Sequence, residues 1–295
     1  MAGVMDTLER LDDLPALPES LVKIPPMLAS ESFDMSALCG IIRRDEALAS
    51  AVLRRANSAM YNASGATFDL DQSIVRLGSK ELVRIVTRCG ASGLLRDAGA
   101  SYGLDRGHLA RGAAGGASIA RTLAAFTDSV DPEMAYVCSL LRDIGKIVMD
   151  LHVGPSCHVV PVSSESTGQT RVSFLQLERE RHGADHAQVG RALAERWGLP
   201  APIPEAIAFH HEPPEPGTAA HDELHDVVHA SDIITLWAGL AIGSEGLAYR
   251  ISPHVRDGLL ADRSRCEELI SRAWDEARMF ENEQYDTANT GEASA

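Results

Sequence analysis

Over 295 positions the chain sets 42 acidic residues against 27 basic ones, a formal charge of −15 that repels nucleic acid and anionic lipid over most of a surface. Its 45% hydrophobic and 23% charged content is that of globular material with a sizeable core. No window approaches ~18 consecutive apolar residues and Met1 to Asp6 lacks the basic and apolar segments of a signal peptide, so a soluble, cytoplasmic protein with no membrane contact is expected.

Residues 1–13 are polar and are expected to fray. Leu14-Pro15-Ala16-Leu17-Pro18 sets an extended lead-in, because each proline locks φ, and a helix is expected from about Glu19 to Ser30. Asp34 is placed to cap a short helix with Leu38, Ile41 and Ile42 on its inner face. Asp45 caps a longer one through Leu48, Val52, Leu53 and Ala56. Asn57 and Ser58 stand where that helix ends and are read as backbone caps. Asp71 to Gly78 opens another pair of helices, continued by Leu82, Val83, Ile85 and Val86 toward Leu95. Glycines between Asp97 and Gly107 mark a joint between two helical lobes.

Beyond the joint a helix of small residues is expected from about His108 to Phe126. Asp131-Pro132 begins the next, which carries Leu140-Leu141-Arg142-Asp143-Ile144-Gly145-Lys146. Residues 154–169 are rich in Ser, Pro and Val and read as a long loop. Helical patterning resumes from about Ser173 to His182, stops at Gly183, and restarts at Asp185 to run to Trp197-Gly198-Leu199-Pro200. Ile203 to His211, His221 to Ala241 and about Arg263 to Phe280 complete the set. With no sustained alternation at period two, the chain is expected to be all-α and two-lobed: residues 14–103, then 104–282, then a tail from 283 to 295 without an apolar face.

A divalent metal needs converging imidazoles and carboxylates, and Asp143, Asp185-His186, His210-His211-Glu212 and Asp232 stand at helix ends and turns where they can meet. His221, His225 and His229 recur every four residues, which reads as a solvated helix face with zinc binding as the alternative. Arg76, Lys80, Arg84 and Arg88 recur at the same interval across Gly78, as a solvated basic face or a docking stripe for an acidic partner or phosphorylated ligand. The five cysteines, Cys39, Cys89, Cys138, Cys157 and Cys266, form no CxxC pair and read as free thiols. Ser58 and Ser139 have no neighbouring His and Asp, and no Gly-x-Ser-x-Gly or phosphate-binding glycine loop occurs.

Taken in order, several runs resemble the HDOD proteins, a group related to the HD phosphohydrolases. The N-terminal lobe matches through Leu14 to Pro18, Asp45 to Leu48, Ala56 to Tyr61 and Ser73 to Gly78. The second lobe matches through Leu140 to Lys146, His182 to His186, Val189-Gly190, Trp197 to Pro200 and Ala206 to Pro213, so the resemblance spans roughly residues 14–245. It implies a helical lobe followed by an HD-like one. In the HD enzymes a His precedes the Asp of the Asp143 run, and here that place holds Arg142, which has no lone pair for a metal. An earlier imidazole position aligns with Gly112, beside Arg111. A guanidinium beside Asp143 opposes a dication. The resemblance therefore implies a degenerate pocket of Arg142, Asp143, His186, His210, His211 and Asp232, with no metal, cofactor or catalytic residue, in a bacterial signal-transduction protein that acts on signalling proteins in trans. The alternatives are a residual metal-dependent phosphohydrolase or cyclic-nucleotide phosphodiesterase using the same carboxylates and imidazoles, and a nucleotide sensor in which Arg111, Arg142 and Lys146 grip phosphate.

Overall fold

A computed structural model describes residues 3–10, 16–30, 32–62, 65–67, 69–154, 173–240, 242–243 and 249–292. Among these residues there is no strand, and the helices are α1 (Val4–Arg10), α2 (Glu19–Leu28), α3 (Met35–Arg44), α4 (Glu46–Ala56), α5 (Leu70–Leu95), α6 (His108–Ala124) and α7 (Pro132–Leu141). They continue as α8 (Gly145–Val153), α9 (Phe174–His182), α10 (His186–Arg196), α11 (Pro202–Phe209), α12 (Glu223–Trp237), α13 (Pro253–Asp257) and α14 (Arg263–Glu292). The loop expected at 154–169, together with Leu14, Pro15 and Cys157, lies outside the described residues apart from Gly154.

The helix starts follow capping chemistry. Asp34 accepts from Ala37 N at 2.9 Å, Asp45 from Ala47 N at 2.9 Å, and Asp131 from Met134 N at 2.7 Å ahead of Pro132. After α4, Asn57 pairs with the backbone of Thr67 in both directions and Ser58 Oγ donates to Arg55 O, which are the capping roles its position suggested. Gly78 (φ 73°) breaks α5 into two segments, a conformation glycine adopts at little cost.

Apolar side chains gather in two clusters. The smaller joins Ile24, α3, α4 and Ile74 to Val86 of α5. The larger holds Ala91 and Leu95 of α5 with α1, α6 to α12 and α14, so α5 passes from one core to the other ahead of the boundary expected at residue 103. The Asp97 to Gly107 joint is clasped by Asp150 of α8, which accepts from Gly99 N at 2.5 Å and Ser101 N at 2.8 Å. That clasp buries Tyr102 beneath the second lobe.

Among the described residues, helix extends nearer to both ends than the sequence suggests. Residues 1–13 were expected to fray, but Val4 and Leu8, one turn apart, are buried and join the larger core, where α1 packs against α8 and α10. At the other end α14 is anchored by Cys266, Leu269, Ala273 and Ala277, and its backbone stays helical to Glu292 instead of stopping near Phe280. Elongation from an anchored helix fixes few further dihedrals per hydrogen bond gained.

Two close approaches position the interior of the second lobe. A Cβ on Gly145 would lie 1.9 Å from His186 O, and one on Gly190 would lie 3.1 Å from Gly145 N, so only bare backbone lets α8 meet α10 there. The contact brings the turn that carries Asp143 against the first residue of α10.

Candidate functional site

The helix expected to carry Leu140 to Lys146 ends at Leu141. Arg142, Asp143 and Ile144 form a tight turn closed by Ile144 N to Leu141 O (3.1 Å) and Lys146 N to Asp143 O (3.0 Å). Asp143 thus projects from a bend between two buried helices. Asp185 closes a capping box with Gln188 at the start of α10, which fixes His186 inside. His210 and His211 leave the end of α11, and Asp232 lies within α12.

The structure brings all six expected pocket residues together. Arg142, only 2% exposed, donates from Nε to Asp232 Oδ1 at 2.9 Å, and the same Nε lies 3.4 Å from Asp143 Oδ2. Its Nη1 donates to Ser139 O at 2.9 Å and Ser139 Oγ at 3.1 Å. Lys146 Nζ is 3.1 Å from Asp143 Oδ1 and rests 4.9 Å from the centre of the Tyr102 ring. His211 Nδ1 faces Asp232 Oδ2 at 3.2 Å, and its ring stacks on Tyr249 at 3.8 Å. His210 Nδ1 donates to Ile207 O at 2.6 Å, leaving its Nε2 turned toward Asp143 Oδ1, 4.0 Å away, with no aligned hydrogen bond on either atom.

His186 has an acceptor on each side. Its Nδ1 lies 2.7 Å from Glu178 Oε2 and its Nε2 lies 3.0 Å from His211 Nε2. Glu178 also accepts from the His186 backbone N–H at 3.1 Å and from the Tyr102 hydroxyl. Burial disfavours the imidazolium, but the Glu178 carboxylate outweighs it and raises the His186 pKa. Burial likewise works against the charged forms of Asp143 and Asp232. The cations Lys146 and Arg142 beside the first, and the Arg142 guanidinium with the adjoining His211 ring beside the second, win and hold both carboxyls well below the usual range. Burial pushes His210 down to about 4 and His211 well below its ordinary value, so both are neutral at pH 7.

The pocket therefore sets two buried cations, Arg142 and Lys146, against three carboxylates, Asp143, Asp232 and Glu178, with Glu178 drawing the His186 imidazole toward its charged form. The Nε2 atoms of His186, His210 and His211 lie close enough together to suggest metal ligation. A dication bound there would have to displace the proton held between His186 and His211, and would share Asp143 Oδ1 with the Lys146 ammonium. It would also crowd its charge against the Arg142 guanidinium and the Lys146 ammonium. A catalytic dication would therefore compete with Arg142 and Lys146 for the carboxylates it needs.

Gly112 was the aligned site of the earlier missing imidazole, but Gly116, one turn further along α6, is the glycine beneath the guanidinium: a Cβ there would lie 2.4 Å from Arg142 Nη1. Arg111 precedes Gly116 by five residues, roughly 140° around the helix, and so leaves α6 on a different side. The sequence reading also missed Glu178, Tyr102, Ser139 and Tyr249. Glu178 alone had a signal, since it falls three and four positions after Leu175 and Phe174 on the apolar face of α9.

Two surface readings need correction. Arg76 donates to Ala56 O and Gly65 O, Arg84 pairs with Glu81 (3.1 Å) and Glu133 (3.5 Å), and buried Arg88 pairs with Glu276 at 2.6 Å. Of the expected docking stripe only Lys80 is fully exposed, because Gly78 turns the register and the arginines serve intramolecular carboxylates and carbonyls. The three histidines before and within α12 also do not share a wet face. Asp222 caps the helix and leaves His221 outside it; His225 is buried 5.0 Å from the Phe209 ring. His229 is buried between His210 O and Ser252 N.

Comparison with known proteins places this geometry. The HDOD domain model matches residues 14–213, more than half of the chain. The chain belongs to the HDOD domain family. An uncharacterized protein of Treponema pallidum (strain Nichols) is 28% identical over 207 residues, 70% of this HDOD chain but 39% of that protein's length. A crystal structure of an HDOD domain protein of unknown function from Geobacter sulfurreducens superposes with a TM-score of 0.66 at 22% identity, covering 97% of this chain and 94% of the other. A Marinobacter aquaeolei VT8 protein named for signal transduction gives 0.70 at 22% identity, covering 96% and 61%. These likenesses show the all-α, two-lobed HDOD fold. No helix among the described residues is long and apolar enough to cross a membrane.

Proposed function

We propose that this HDOD chain is a non-catalytic regulatory protein of bacterial signal transduction that works through contacts with other signalling proteins. The observation that carries this reading is the pocket in which Arg142 holds both Asp143 and Asp232. Metal-assisted hydrolysis needs an open coordination position and a water activated by the ion. Here a guanidinium and an ammonium hold the carboxylates that such an ion requires. Phosphate sensing through Arg142 and Lys146 is opposed by the same geometry, since both are buried and committed to internal carboxylates. The name of the Marinobacter aquaeolei protein, which refers to signal transduction, supports the regulatory reading.

The pocket's role in this reading is structural. It fixes the turn between α7 and α8 against α10, α11 and α12, and so sets the surface that the second lobe offers to a partner. Hydrolysis of phosphomonoesters, phosphodiesters and cyclic dinucleotides, assayed with magnesium, manganese and zinc, tests the proposal. The chain is expected to show no turnover above that of Asp143→Asn. A metal-dependent rate that Asp143→Asn abolishes would show the proposal to be wrong.

A further inference from the structure

Outside the pocket, three side chains converge at the edge of the second lobe where α12 begins. His221 Nε2 lies 2.9 Å from Asp226 Oδ2, and His254 Nε2 lies 2.9 Å from Asp226 Oδ1. The two imidazole rings stand 6.0 Å apart at 73°. All three side chains are between 13% and 18% exposed, sheltered yet reachable from solvent. They open on a cleft of about 580 Å3 that Glu223, Asp128 and Phe126 also line.

We propose that His221, Asp226 and His254 form a binding site for zinc or a similar borderline transition dication. Ligands arranged tetrahedrally at ~2.0–2.1 Å from zinc stand ~3.3 Å apart; here each imidazole nitrogen is 2.9 Å from an Asp226 oxygen, and one ligand atom from each residue lies within 4.8 Å of the others. The surroundings of His254 point the same way. Its other ring nitrogen, Nδ1, has Ser252 Oγ at 2.9 Å and Glu215 Oε2 at 3.3 Å. A carboxylate behind the ring is the arrangement that orients a metal-binding histidine, because it keeps the N–H on Nδ1 and turns the Nε2 lone pair outward. A neutral imidazole has a single N–H for its two carboxylate neighbours. With that N–H on Nδ1, directed to Ser252 Oγ with Glu215 beside it, the Nε2 lone pair faces an Asp226 oxygen, and a shared dication satisfies both. The remaining coordination position is open to solvent or to a further carboxylate.

Such an ion would staple the segment before α12, α12 itself and α13. The staple adjoins the pocket by a chain of hydrogen bonds: His254 to Ser252, Ser252 N to His229 Nε2, and His229 Nδ1 to the carbonyl of His210. The site is independent of the pocket reading, since it shares no ligand with it.

Equilibrium dialysis of the full chain against zinc, beside a His221→Gln/His254→Gln double variant, tests the site. The unaltered chain is expected to hold one more equivalent than the variant, and zinc is expected to raise its melting temperature but not the variant's. Equal stoichiometry in the two chains would overturn the proposal. Chemical labelling of histidines, read by mass spectrometry on the unaltered chain, needs no variant: zinc should shield His221 and His254 from modification. Labelling of both at the same rate with and without saturating zinc would overturn it as well.

Discussion

Arg142 and Asp232, ninety positions apart, meet at 2.9 Å with the guanidinium almost completely buried over Gly116. The pair ties the turn after α7 to the middle of α12. Removing one partner of a buried pair strands the other, which is costlier than the pair's net worth. Arg142→Met is therefore expected to lower unfolding free energy by about 3–5 kcal/mol, measured by urea denaturation at pH 7.

Gly116→Ala probes the same seat from the other side. Its Cβ would fall 2.4 Å from Arg142 Nη1 and 2.9 Å from Thr235 Oγ1, forcing the guanidinium away from its acceptors. The expected cost is about 1–3 kcal/mol in the unaltered chain. In an Arg142→Ala background the clash is relieved, so a double-mutant cycle should show coupling of at least ~0.5 kcal/mol.

The second lobe's helices were readable in the sequence because their start signals are local: Asp131-Pro132, Asp185 with Gln188, and the stop at Gly183 each act within one turn. The pocket's members were recognisable for a different reason, as a set of runs in a familiar order. What that order could not show was how charge is shared among them. Glu178 falls on the apolar face of α9, but its partners do not show in the sequence: Tyr102 reaches it across 76 positions. That Gly116 lies beneath the guanidinium depends on how α6 packs against Arg142, which no single sequence displays. Arg84 and Arg88 looked like a surface stripe because their partners, Glu133 and Glu276, belong to distant helices.

Those distant partners make the lobe contact testable. Arg88 and Glu276 are 6% and 16% exposed, so Arg88→Ala leaves a largely buried carboxylate and is expected to cost about 3 kcal/mol. Lys80→Ala, at the exposed position of the same run, should change stability by no more than ~0.5 kcal/mol. Chemical denaturation of both variants separates an internal strut from a surface charge.

Acid should weaken the fold before ordinary carboxylates titrate. His210 is held near 4 in the folded chain against 6.5 when unfolded, so between those values the unfolded chain binds more protons and stability falls as pH falls. His210 alone accounts for a loss of up to about 3 kcal/mol across that window. His211 acts in the same direction. His186 has the opposite sign: its raised value contributes stability that is full below 6.5 and is lost as pH rises through the folded value. Asp143 and Asp232, held low, lose their contribution only as pH falls through the carboxylate range near 3.8. Urea midpoints measured from pH 7 to pH 4 should fall steadily, and His210→Gln should flatten that slope.

The account stands or falls on whether Arg142, Lys146 and His186 take the place of a metal in the pocket. Elemental analysis of the His221→Gln/His254→Gln chain, after dialysis against manganese and zinc, isolates that question by removing the outer histidines. Occupation of the carboxylates by Arg142 and Lys146 predicts no stoichiometric metal in this chain. One equivalent of tightly held metal, lost on adding Asp143→Asn, would contradict it.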